Sequence, residues 1–136
     1  MSARGRRPAF LRYAWAGPAT LVGLALSALM GAIGARARVV DGCLEVAGGR
    51  VAACIAMLPQ PYRFSAITFG HVIIGIDHEI LAAVRCHEQT HVRQYERYGI
   101  LFFPLYLGSS LLQLALGRDP YHDNHFEREA CAQARH

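Results

Sequence analysis

The residues best suited to chemistry are His87, Glu88, Gln89, Thr90 and His91, which spell an HExxH motif. On a helix, positions four apart lie about 40° apart around the axis and one turn apart along it. Two imidazoles so placed can both reach one metal ion, at about 2.0–2.1 Å for zinc. The glutamate after the first histidine then sits beside the open coordination position. There it can take a proton from an attacking water and pass it to a leaving amine. A chain of this composition would contain the pattern by chance roughly 0.015 times.

Two histidines do not complete a catalytic zinc site, which usually has three protein ligands. His122, His125, Glu127 and Glu129 are the candidates for the third. Glu127 and Glu129 stand about 200° apart around a helix, so only one of them can face the metal.

These residues need elements to hold them. Asp77 is a helix N-cap, and Gly99 a helix end, so the motif helix should run from about His78 to Tyr98. The run ITFGHVIIG, Ile67 to Gly75, reads as a strand. A second apolar stretch spans Ile100 to Leu116, with Pro104 in its first turn, and a short last helix runs from about His125 to Ala134. Upstream, VVDGCLEVAGGRVAAC at 39–54 predicts a hairpin turning at Gly48-Gly49. That register sets Cys43 opposite Cys54 at a Cα spacing of about 5.5 Å, which a disulfide can bridge. Pro59-Gln60-Pro61 then interrupts the chain. His71 reads as a structural strand residue, Tyr95 as a packing residue and Cys86 as a buried thiol.

The chain has 136 residues, one domain's worth. Charged residues are only 18% and hydrophobic residues 53%, which excludes intrinsic disorder and points to membrane contact. The net charge is +4, but all 14 basic residues are Arg and no basic helix or RNA-binding aromatic motif occurs, so no nucleic-acid partner is expected. The four cysteines form no C-x-x-C, so a cysteine-based zinc ribbon is not indicated.

Tyr13 to Ala35 is a stretch of 23 residues without charge. As a helix it would extend about 34 Å, against a hydrocarbon core of about 30 Å. Arg4, Arg6, Arg7 and Arg12 precede it, as a cytoplasmic flank should. A cleaved signal peptide would use Ala35-Arg36-Ala37, but with an apolar region of only about 7–15 residues. The expected division is a membrane anchor at 1–37 and a domain at 38–136 facing outside the cytoplasm. If the second apolar stretch also crossed, His91 and the third ligand would lie on opposite sides. It should instead be a core helix that rests its apolar face on the membrane.

Glu127-Arg128-Glu129-Ala130 forms an E-x-x-A pattern that starts 36 residues after His91. With HExxH, this resembles the gluzincin clan of zinc metallopeptidases. It is most similar to the minigluzincins and to the catalytic core of the CAAX-prenyl and heat-shock membrane endopeptidases. The resemblance covers roughly residues 64 to 134. It implies zinc held by His87, His91 and Glu127, with Glu88 as general base and Ala130 allowing close helix packing. It also implies that Ile67 to Gly75 is an edge strand to which a peptide adds. The family usually has an apolar residue at the place of Gln89. The membrane endopeptidases carry, at the place of Cys131, an Asp that orients a motif histidine.

The resulting expectation is an α+β chain: an N-terminal transmembrane helix, then a small zincin-like domain with a short β-sheet and three helices. Its function would be membrane-anchored endopeptidase action on peptide or protein substrates. His122 and His125 are candidates to donate to the developing oxyanion. A metal-binding relative without turnover, and a structural membrane protein, are the alternatives.

Overall fold

A computed structural model describes residues 8–59 and 64–134. Arg4, Arg6 and Arg7 of the basic flank, and Gln60 and Pro61, lie outside the described residues. The architecture is α+β. Helices α1 (Ala9–Trp15) and α2 (Gly17–Ala32) lead into strands β1 (Arg36–Val40) and β2 (Cys43–Ala47). A short helix α3 (Val51–Ala56) precedes β3 (Ala66–Phe69) and β4 (Val72–Gly75). Then come α4 (His78–Tyr98), a single 3-10 turn, α5 (Phe102–Ala115) and α6 (His125–Ala134).

The four strands form one mixed sheet in the order β1-β2-β4-β3. β1 and β2 pair as an antiparallel hairpin, β2 and β4 run parallel, and β3 returns antiparallel to β4. The first hairpin turns at Asp41-Gly42, both with positive φ, 51° and 79°. That is the two-residue Asp-Gly turn whose twist suits paired strands. It displaces the expected turn at Gly48-Gly49, which instead carries the chain out of β2 into α3. Cys54 therefore sits on a helix rather than opposite Cys43, and all four cysteines are free. The expected single strand at Ile67–Gly75 is likewise two strands. Gly70, at φ 61°, opens a two-residue turn between β3 and β4. The first half of that run is the edge strand, and the second half lies inside the sheet.

The uncharged N-terminal stretch is not one continuous helix. It breaks at Ala16 between α1 and α2, and α2 has 16 residues. α2 packs on β3 and β4 through Gly23, where an added Cβ would lie 2.6 Å from the Cβ of Val72. α1 packs on α4. The Tyr13 ring stacks on His71 at 4.0 Å, and its hydroxyl donates to the Gly42 carbonyl. His71, buried, contacts Glu96 at 2.9 Å, so its role is structural. The boundary expected after residue 37 falls inside β1.

α4 begins and ends as its sequence dictates. The Asp77 carboxylate accepts the Ile80 N–H at 2.7 Å, and Gly99 stops the helix at φ 60°. Among the described residues, one helical run, His78–Ala115, is long and apolar enough to cross a membrane. Its uncharged part is residues 98–115. The chain turns back beside this part. The Asn124 amide donates to the Tyr106 carbonyl and the Ser110 hydroxyl, and the His125 N–H donates to Ser109.

Candidate metal centre

α4 presents a stripe of buried residues at helical spacing: Leu81, Glu88, His91, Val92 and Tyr95. Polar members of such a stripe need partners once water is removed. Each has one. Thr68 on β3 donates its hydroxyl to Glu88 Oε2 at 2.7 Å. Tyr95 donates to the Thr68 carbonyl at 3.1 Å. These two bonds seat the edge strand over the motif helix.

α6 packs along α4, and Ala130, completely buried, lets the two approach. This brings Glu127 against both histidines. His87 Nε2 lies 3.0 Å from Glu127 Oε2, and His91 Nε2 lies 3.2 Å from Oε1. The donor atoms of His87, His91 and Glu127 all fall within 4.8 Å of one another. Four ligands at zinc bond lengths in a tetrahedron sit about 3.3 Å apart. Two imidazoles and one carboxylate gathered within that span could hold a metal ion. Glu129, the other acidic candidate, points instead to Gln94.

The charges in the site suit a cation. Burial alone would raise the Glu127 carboxyl. The hydrogen bonds from His87 and His91, with the charge of His91, outweigh burial and hold it well below the usual carboxylate range. Burial works against a charge on His91, but the bond and field of Glu127 outweigh it and raise that imidazole. The carboxylate thus draws positive charge to the point where the three groups converge.

The outer contacts of the histidines differ. His91 Nδ1 meets the Gln94 side-chain oxygen at 2.8 Å. His87 Nδ1 meets Cys131 Sγ at 3.8 Å. Gln89, half-buried, takes the Cys43 thiol at 3.7 Å, which accounts for a polar residue at that position. Cys86 is exposed rather than buried, with its thiol on the Gln133 carbonyl.

A cleft of about 290 Å³ opens beside the centre. Glu88, His91 and Glu127 form its polar wall, with Thr68 and Phe69 of the edge strand along it. Phe102, Phe103 and Tyr106 also line it. Tyr106 donates to Glu127 Oε1 at 2.6 Å, and Tyr121 also lines the cleft. His122 and His125 do not. Both are exposed, and His122 pairs with Asp119. Thr68, Tyr106 and Gln94 escaped the sequence reading. Thr68 and Tyr106 reach the site through tertiary packing and leave no local signal. Gln94 is three residues after His91 on the same helix face, and that spacing was visible.

No family model, curated protein or solved structure matches the chain.

Proposed function

We propose that the chain is a membrane-anchored, zinc-dependent endopeptidase of gluzincin type. The observation that carries this reading is the convergence of His87, His91 and Glu127 beside Glu88, at an apolar cleft bordered by β3, the edge strand of the described sheet. His87, His91 and Glu127 would hold the ion. Zinc so held supplies Lewis acidity, which acidifies water and polarises a carbonyl. Glu88 takes the proton of the attacking water and delivers it to the leaving amine. Thr68 fixes one oxygen of Glu88, so the carboxylate meets the water in one orientation. A substrate peptide runs along β3, its side chains toward the phenylalanines of the cleft. Tyr106 and Tyr121, rather than His122 and His125, are the residues that line the cleft where an oxyanion would develop.

The membrane part of this reading rests on exposed apolar surface. Leu21, Val22, Leu24 and Leu29 of α2 are exposed, as are Leu105, Leu107, Leu111, Leu112 and Leu114 of α5. The return of Asn124 to Ser110 leaves only the last turns of α5 beyond the site. α5 then dips into the membrane surface, which keeps His91 and Glu127 on one side. The domain lies outside the cytoplasm, as the Arg-rich N-terminus directs.

A non-catalytic metal-binding protein is the second reading, favoured by one contact: a thiol, not a carboxylate, stands at His87 Nδ1. Purified protein assayed for zinc and for cleavage of a peptide library separates the two. Zinc with turnover supports the peptidase, and zinc without turnover supports the second reading.

A further inference from the structure

Gln94 is 2% exposed and lies outside the cleft, yet every polar position of its amide is used. Its nitrogen is 3.1 Å from the Phe126 carbonyl and 3.1 Å from Glu129 Oε1. Its oxygen is 2.8 Å from His91 Nδ1. Phe126 O and the Glu129 carboxylate are both acceptors, so the end that faces them must be the NH2 group. The oxygen is thereby turned to His91, and an amide oxygen can only accept. Nδ1 of His91 must carry a proton, so in the neutral imidazole that a metal requires the lone pair is on Nε2. Nε2 is the atom that faces Glu127.

The two acceptors flank the third ligand in sequence. Phe126 precedes Glu127 by one residue, and Glu129 follows it by two. One buried side chain therefore grips both the second histidine and the helix that carries the carboxylate. We propose that Gln94 is a positioning residue of the metal centre, which fixes the tautomer of His91 and locks α6 in register with it. This rests on the metal-site reading above. It also gives Glu129 a role: its carboxylate holds the Gln94 amide in the one orientation that suits His91.

The test uses the full-length chain in detergent, with zinc or cobalt(II) as probe. Wild type should bind one ion and give the intense visible absorption of four-coordinate cobalt. Gln94→Leu should keep its helical circular dichroism but bind 10- to 100-fold more weakly, roughly the cost of losing a partner of a metal-bound histidine. Its cobalt spectrum should shift at saturation, which a merely structural role would not cause. Gln94→Glu alone sets two carboxylates together and should also bind weakly. The exchanged pair Gln94→Glu with Glu129→Gln restores an acceptor for His91 and a donor between residues 94 and 129, while the Phe126 carbonyl loses its donor. It should recover at least half of the lost affinity on a logarithmic scale. If Gln94→Leu fails to fold, this rescue decides the matter. Wild-type affinity and spectrum in Gln94→Leu, or no recovery in the exchanged pair, overturns the proposal while the metal site stands. No ion bound by wild type overturns the metal-site reading itself, and this proposal with it.

Discussion

Glu88 is buried, with one carboxylate oxygen on Thr68, and it lines the cleft next to His91. A carboxylate in that place can act on a proton only if it can accept one. Glu88→Gln keeps the size and the Thr68 bond and removes the basicity. It should keep a full complement of zinc and lose hydrolysis by about 10²–10⁴-fold, the usual weight of a general base. Peptide cleavage at the wild-type rate would remove Glu88 from that role. Thr68→Val is the milder change. It removes the donor without changing shape, so Glu88 can rotate. The rate should fall about tenfold, roughly the value of a single hydrogen bond to a charged group, with zinc content unaltered. Assay of both variants beside zinc analysis separates base from ligand.

At the scale of elements, α2 is held to the sheet by absence of a side chain. A Cβ at Gly23 would lie 2.6 Å from Val72 Cβ and 3.0 Å from the Phe69 backbone oxygen. Gly23→Ala must therefore push α2 off the β3–β4 hairpin. Overpacking of this kind costs about 1–3 kcal/mol, so the thermal midpoint in detergent should drop by several degrees. An unchanged midpoint would mean that α2 does not depend on this contact. How far such elements were legible follows from where their signals lie. α4 was readable because Asp77, the apolar period and Gly99 are all local to it. α6 was readable for the same reason, and Glu127 only through the E-x-x-A resemblance. The first hairpin was misread because two turn signals competed, Asp41-Gly42 and Gly48-Gly49. The Asp-Gly pair won by pairing β1 with β2 over five residues each. The break at Ala16 left no trace, since Gly17-Pro18 sits comfortably in the first turn of a helix. Thr68 and Tyr106 could not be found, because β3 and α5 meet the motif helix only in three dimensions.

For the whole molecule, the question is which side of what surface the centre occupies. The leucines of α5 are each roughly half exposed. Burial of half a leucine side chain is worth about 1 kcal/mol, so six of them, with Leu116, supply on the order of 6 kcal/mol. That is comparable to one acyl chain, which alone binds membranes only reversibly. On the membrane reading proposed above, the apolar face of α5 would need α2 as a second attachment for stable residence. Substituting Leu111, Leu112 and Leu114 together by Ser in the whole chain should weaken binding to neutral vesicles by more than tenfold, provided its circular dichroism is unchanged. Equal binding would show that α5 makes no membrane contact. Orientation has its own check. A phosphatase reporter after His136 should be active outside the cytoplasm, and cytoplasmic activity would reverse the topology.

The central claim is that His87, His91 and Glu127 together hold zinc. Glu127 and Glu129 lie on one helix, carry the same charge and sit two residues apart. A general electrostatic effect would treat them alike, and direct ligation would not. Glu127 touches both imidazoles, whereas Glu129 reaches the centre only through Gln94. Two histidines alone make a site too weak to survive a competing chelator. The deciding measurement is zinc per chain after dialysis against a mild chelator, for wild type, Glu127→Ala and Glu129→Ala. Wild type should retain close to one zinc, Glu129→Ala most of it, and Glu127→Ala almost none. Equal retention in all three proteins, or loss confined to Glu129→Ala, would contradict the assignment of Glu127 as the third ligand.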